Sequence, residues 1–106
     1  MELPITIQKF IDTTNSADNA NFVATFTESA ELVDWGRRFT GLTGIASWNK
    51  TDNIGKQAHF EAVDAQKITD IDYIVTLKVT GNGFNGVSDF KIEIQGDLIQ
   101  KLIIEA

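Results

Sequence analysis

Residues that could face a core recur at helical spacing in the first half of the chain and at alternate positions in the second, with the change near Gly55. Leu3, Ile7, Phe10, Ile11 and Thr14 share one helical face and predict a helix from about Pro4 to Asn15. Pro4 is tolerated there because a first-turn residue has no intrahelical N–H bond to lose. A minimal link, Asn15-Ser16-Ala17, leads to Asp18, whose carboxylate can cap a short second helix carrying Phe22, Val23 and Phe26. Ala30-Glu31-Leu32-Val33-Asp34 reads as a strand. Thr43 is then placed to cap a third helix in which Ile45 and Trp48, three apart, share a face, with Gly55 as its terminator.

Beyond Gly55 the pattern predicts strands over His59–Thr69, Tyr73–Thr80, Val87–Gln95 and Leu98–Glu105, the last two joined by a Gly96-Asp97 turn. Ile71, Tyr73, Val75, Leu77 and Val79 alternate with Asp72, Ile74, Thr76, Lys78 and Thr80, as in a sheet with one better-buried face. The expected order is helices first, then an antiparallel meander. With no repeat, linker or low-complexity run, residues 1–106 read as one α+β domain. The final strand is apolar on both faces, so one face is expected against helices and the other against a second copy, giving a homodimer.

Composition removes several functions. No stretch approaches 18 consecutive apolar residues and no basic-then-hydrophobic leader opens the chain, so no membrane partner is expected and a cytoplasmic setting is the default. The absence of cysteine rules out disulfides, thiolate ligands and thiol nucleophiles, and a single histidine, His59, rules out a multi-imidazole zinc site. No metal or cofactor is expected. A formal charge of −6 with scattered cations argues against nucleic acid. Gly81-Asn82-Gly83-Phe84-Asn85-Gly86 matches G-x-G-x-x-G, but it joins two strands and opens no helix, so it is read as a hairpin loop that binds no nucleotide. The Asn49-Lys50-Thr51 sequon carries no weight without secretion.

Several of these segments, taken in order, resemble the SnoaL-like and ketosteroid isomerase branch of the nuclear-transport-factor-2-like superfamily. Lys9 to Asp18 is similar to its opening helix and short N-x-x-D link, and Phe22 to Phe26 to its second helix. Phe39-Thr40-Gly41-Leu42-Thr43-Gly44-Ile45 with Trp48 resembles the aromatic-x-G-x-x-x-I-x-x-aromatic start of the third, and Asp89–Ile92 with Gly96–Ile99 the paired C-terminal strands. The resemblance implies a cone-shaped fold, three N-terminal helices packed on a curved antiparallel sheet around a pocket for a small molecule, and commonly a dimer.

It also implies a site. Asp34 matches the strand-end carboxylate that moves a proton beside a carbonyl in the isomerases. Desolvation by Trp35 and Phe39 would raise its pKa and suit it as a general base, whereas pairing with Arg37 or Arg38 would lower it and make it structural. Phe10 stands where the isomerases carry a tyrosine oxyanion donor, which argues against steroid isomerisation. The family's second acid falls near Asp89, but Asp89 shares parity with Lys91 and Glu93 and is expected to face water, while Ser88 shares the parity of Phe90 and Ile92 and can donate to a ligand. His59 is a candidate acid–base partner of Asp34, although it alternates with Phe60 and only one of the two can face inward. No nucleophile elbow supports a serine triad.

Phe10, Trp35, Phe39, Trp48 and Phe90, with Ser88, are therefore expected around an apolar pocket, and Asp34 and His59 as its chemical groups. The implied function is binding of a small hydrophobic, carbonyl-bearing or cyclic molecule, with proton-transfer isomerase or hydrolase chemistry at Asp34. The alternative is a non-catalytic binding or dimerisation module whose pocket is filled by its own side chains.

Overall fold

The computed structural model describes residues 2–105. Helix α1 (Ile5–Asn15) and the short α2 (Asn19–Val23) come first, followed by a hairpin of β1 (Phe26–Asp34) and β2 (Arg37–Thr40). Helix α3 (Gly41–Asp52), a single 3₁₀ turn (Ile54–Lys56) and four strands complete the chain: β3 (His59–Lys67), β4 (Asp72–Thr80), β5 (Gly86–Gln95) and β6 (Leu98–Ile104). All six strands form one sheet in the order β2-β1-β6-β5-β4-β3.

Three expectations about this order are corrected. The helices are not all N-terminal: the β1–β2 hairpin separates α2 from α3. Phe26 opens β1 rather than extending α2, which ends at Val23 after Asp18 has accepted the Asn21 N–H. The sheet is also mixed, because β1 runs parallel to β6 while every other pair is antiparallel. That pairing places β6 in the interior of the sheet, which accounts for its apolar character: Ile99, Leu102 and Ile104 are buried, and Lys101 and Ile103 are half-buried on the opposite face.

Helix α3 begins earlier than its Thr43 suggests, with Thr40 at the N-cap and no side-chain cap bond. It ends at Asp52, before Gly55, which lies inside the 3₁₀ turn. A Cβ at Gly55 would overlap the Lys50 carbonyl, so glycine is needed there for close approach of backbone to backbone. Register shifts between Ala62 and Asp64 and between Glu93 and Ile94 are bulges, which bend strands and curve the sheet, and the β1–β6 pairing is interrupted between Phe26 and Glu31.

The core is dense at one end. Phe10 is fully buried and its ring centroid lies 5.4–6.2 Å from those of Phe22, Phe26, Phe60 and Phe90. A buried amide cluster ties the helices to one another: Asn53 Nδ2 donates to Thr14 Oγ1 (3.0 Å) and Asn49 Oδ1 (3.2 Å), and Asn49 donates to Asn19 (2.9 Å). Asn15 exchanges two bonds with the Phe60 backbone (2.7 and 2.9 Å), fixing where β3 starts and hence which of His59 and Phe60 points inward. Asn49 is 2% exposed, so its sequon is closed in the folded chain. None of the helices among the described residues is long and apolar enough to cross a membrane.

Candidate functional site

At the other end of the core the packing is incomplete. A cavity of about 340 Å³ opens between the β1–β2 turn, the C-terminal end of α3 and the β4–β5 loop, near the lower end of the range for small-molecule sites. Its floor is apolar, made by Ala58, Phe60, Val79, Phe90 and Ile104. Asp34, Arg37, Thr51, Asp52 and Lys56 form a polar rim, Ser88 marks the wall, and Trp35 and Phe84 stand at the mouth.

Asp34 reaches the cavity because it is the last residue of β1, and its side chain is only 15% exposed. Its Oδ2 accepts from Trp48 Nε1 at 2.9 Å and from Arg37 Nη2 at 2.9 Å. No bond among the described residues ends on Oδ1, which leaves that oxygen to accept from a ligand. Of the two environments expected for Asp34, the ion pair is present. Arg37 takes this role, while Arg38 turns to Glu31 at 2.6 Å. Trp48 rather than Phe39 is the aromatic against the carboxylate, and Phe39 lies outside the cavity, half-buried with the Arg37 guanidinium carbon 5.6 Å from its ring centroid.

Arg37 also clamps Asp52, Nη2 to Oδ1 at 2.9 Å and Nη1 to Oδ2 at 3.4 Å, and Thr51 Oγ1 donates to the same carboxylate at 2.6 Å. Partial burial opposes ionisation of Asp52, but the hydrogen bonds from Arg37 and Thr51, together with the attraction of Arg37, outweigh it and hold the Asp52 pKa below its ordinary value. The Arg37 pKa is raised, chiefly by its bonds to Asp52. One cation thus ties the hairpin turn to the end of α3 and is shared by two acids at the rim.

Ser88 lies inward with Phe90 and Ile92, as its parity predicts, and is 7% exposed. Its hydroxyl makes no hydrogen bond among the described residues, and because no buried side-chain polar atom there lacks a partner, it is open to the cavity that Ser88 lines. Asp89 points outward and accepts from Thr76 Oγ1 at 2.6 Å. Two proposed members do not join the site. His59 is exposed on the side of β3 opposite Phe60 and does not line the cavity, so the structure brings together no Asp34–His59 pair. Phe10 is packed behind the floor among four other phenylalanines rather than on the cavity surface.

Sequence reasoning missed Phe84, Asp52, Thr51 and Lys56 as site residues. Phe84 falls within the glycine-rich loop, which does join β4 to β5. Asp52 had no signal at all, since its proximity to Arg37 is a tertiary fact. Trp35 is at the site but is unlike a core aromatic: it is 56% exposed and has φ 51°, with Gly36 at φ 85°. Two positive φ values in a two-residue hairpin are the pattern of a type I′ turn, which favours Asn-Gly or Gly-Gly. A tryptophan there carries a backbone strain of about 1–2 kcal/mol.

No known family model and no curated protein matches the sequence. Solved structures do match across nearly the whole chain. A Sinorhizobium meliloti protein carrying the provisional name polyketide cyclase superposes with a TM-score of 0.85 at 23% identity, covering 97% of this chain and 95% of its own. A nuclear-transport-factor-2-like protein from Cytophaga hutchinsonii gives 0.80 at 11% identity, over 93% and 84%. A Mycobacterium tuberculosis protein solved with estradiol-17β-hemisuccinate gives 0.85 at 11% identity, over 94% and 89%. The chain has the nuclear-transport-factor-2-like fold, in the form shared with cyclase- and ketosteroid-isomerase-like proteins. At these identities the likeness speaks for the fold, and function has to be argued from the site.

Proposed function

We propose that this chain binds a small, mostly apolar cyclic molecule in the 340 Å³ cavity, with a hydroxyl or similar donor of the ligand directed to Asp34 Oδ1 or the Ser88 hydroxyl. The observation that carries this reading is Ser88, 7% exposed, whose hydroxyl makes no hydrogen bond among the described residues and opens onto the wall of an apolar-floored cavity. A hydroxyl so placed exchanges a bond with water for one with a ligand, and sets the ligand's orientation without leaving a sealed, unpaired group when the cavity is empty. The steroid ester held by the M. tuberculosis relative of the fold supports the same class of ligand.

Binding is favoured over catalysis by two features: Asp34 is already charge-paired, and Phe10, packed behind the floor, puts no hydrogen-bond donor on the cavity surface. Proton transfer is the second reading, supported by the open Oδ1 of Asp34 at the cavity surface. The test is a chemical-shift titration of the full chain with estradiol and with 2-naphthol. Shifts centred on Asp34, Ser88 and Phe90, weakened several-fold by Ser88→Ala with stability unchanged to within about 0.5 kcal/mol, support the binding reading. Shifts elsewhere, or none at millimolar ligand, overturn it. If proton transfer to Asp34 limits turnover of a 3-oxo-Δ5 steroid, Asp34→Asn lowers the rate on the order of 10²-fold; no turnover by the unaltered protein removes the catalytic reading alone.

A homodimer is proposed on the outer face of the sheet, where half-buried Val33, Ile74 and Ile103 are interspersed with Lys91, Glu93 and Lys101. Sedimentation as an 11.7 kDa monomer at micromolar concentration would remove it.

A further inference from the structure

Trp35 and Phe84 come from opposite loops and meet at the cavity mouth, with ring centroids 5.9 Å apart and planes at 62°. Both are large and about half exposed, at 56% and 46%. Scattered exposed apolar residues are ordinary on a protein surface, but these two share one opening, and each is held there by its backbone. The Trp35 N–H donates to the Ile104 carbonyl at 3.1 Å, so the positive-φ turn is fastened to the interior strand β6. The Phe84 loop is fastened to the 3₁₀ turn by Asn82 N–H to the Lys56 carbonyl (2.8 Å) and by Asn82 Nδ2 to Gln57 Oε1 (3.0 Å).

Within that loop Asn85 accepts from the Gly81 N–H (3.1 Å) and donates to the carbonyls of Gly81 (2.9 Å) and Gly83 (3.2 Å). A Cβ at Gly86 would lie 2.9 Å from the Phe84 ring, so glycine there leaves room for the ring in its edge contact with Trp35. Two features of the sequence are thereby explained together. A bulky aromatic occupies a left-handed turn position where asparagine would be unstrained. A glycine- and asparagine-rich loop, the kind of segment expected to be loose, is instead closed on itself around one phenylalanine.

We propose that Trp35 and Phe84 form a preset aromatic clamp that grips a flat, conjugated part of the ligand at the solvent end of the cavity, and so selects planar over saturated rings. The proposal rests on the binding reading above and narrows its ligand class: a planar ring at the mouth, an apolar body over Phe60 and Phe90, and a donor at the polar groups within. Face or edge contact with two aromatic rings favours an aromatic ligand beyond its area alone, by roughly 2- to 10-fold for each ring engaged.

The experiment compares 2-naphthol with decahydro-2-naphthol, which share a skeleton and a hydroxyl, by chemical-shift titration of the wild-type chain and of Trp35→Asn and Phe84→Leu. The readout is the affinity ratio between the two molecules, and the change in that ratio between proteins cancels their different solubilities. We expect the wild type to prefer the planar molecule, and each substitution to reduce the ratio roughly 2- to 10-fold. Ratios unchanged by both substitutions, with both molecules still bound at Ser88 and Phe90, overturn the clamp and leave the binding reading standing. Neither molecule moving those resonances overturns both. A structural role for Trp35 is separated by stability: Trp35→Asn should raise the urea midpoint by relieving the turn, and a lowered midpoint would overturn the assignment of that strain to ligand binding.

Discussion

The two ends of the core are built from the same residue types and behave in opposite ways. At the α1 end, Phe10, Phe22 and Phe26 are buried and in ring contact, Asn53 donates to Thr14 and Asn49, and Asn49 donates to Asn19. At the cavity end, Trp35 and Phe84 are half in water, the Ser88 hydroxyl lacks a partner among the described residues, and the backbone at Trp35 is in a left-handed conformation. Neither end seals an unpaired side-chain polar atom among the described residues. The first pairs its polar groups inside the core, whereas the second keeps them open to a cavity, where a ligand can bond them. The contrast locates the site more securely than any single residue type does, because aromatics, amides and hydroxyls occur at both ends.

The largest test of this contrast is at Phe10. Phe10→Ala should remove about 3–5 kcal/mol of stability in urea unfolding, as expected for a fully buried phenylalanine whose space cannot collapse. Phe10→Tyr sharpens the point. It should destabilise by about 1–3 kcal/mol, since a hydroxyl added among phenylalanine rings has no partner. A Tyr variant as stable as the parent would mean that the position borders the cavity after all, and would blur the division between the two ends.

Next in size is Asn53→Ala, expected to lose about 1–3 kcal/mol because it strips a donor from Thr14 and Asn49 in a closed, buried network. The loss should appear in the urea midpoint. Near-neutral behaviour would show that the amide cluster is as open to water as the polar groups of the cavity end.

The smallest effect is the pH response of Asp52. Its folded pKa is depressed, so in acid the unfolded chain binds the extra proton first and stability rises with pH across that window. The contribution is fully present above the unfolded value of about 3.9 and fades as pH falls through the folded value. Because the group is partly exposed and its pairing with Arg37 is screened, the contribution should be no more than about 1 kcal/mol. Urea midpoints between pH 2 and pH 6 should therefore rise less steeply in Asp52→Asn than in the parent, and still less in salt. Identical slopes would remove Asp52 and Arg37 as a latch between the hairpin and α3.

Much of the architecture was legible because it depends on local repeat. The 3.6-residue spacing of Ile7, Phe10, Ile11 and Thr14 and the Asp18 cap define α1 and the start of α2, and strict alternation defines β4 and β5. The same alternation already placed Ser88 inward and Asp89 outward, and set Phe60 against His59 as alternatives. Periodicity failed where an element is short or where its ends are set by contacts. Phe26 fits the helical face of α2, but that helix stops after five residues and the chain turns into β1. Thr43 resembles a cap, but β2 delivers the chain to α3 at Thr40.

What the sequence determined by itself was the three helices and five of the strands, the inward parity of β4 and β5 and the absence of thiol chemistry, all of which follow from residue order and type; β2 and the 3₁₀ turn were too short to show. The tertiary structure alone decided which acid meets which base, because Arg37 had Asp34 three residues away and Asp52 fifteen away, and only the packing of α3 against β1 brings Asp52 within reach. It also decided that Trp35 and Phe84, forty-nine positions apart, share one opening. Periodicity reports which face of an element is apolar, but an ion pair or a cavity mouth depends on where separate elements end relative to one another, and no local repeat encodes that distance.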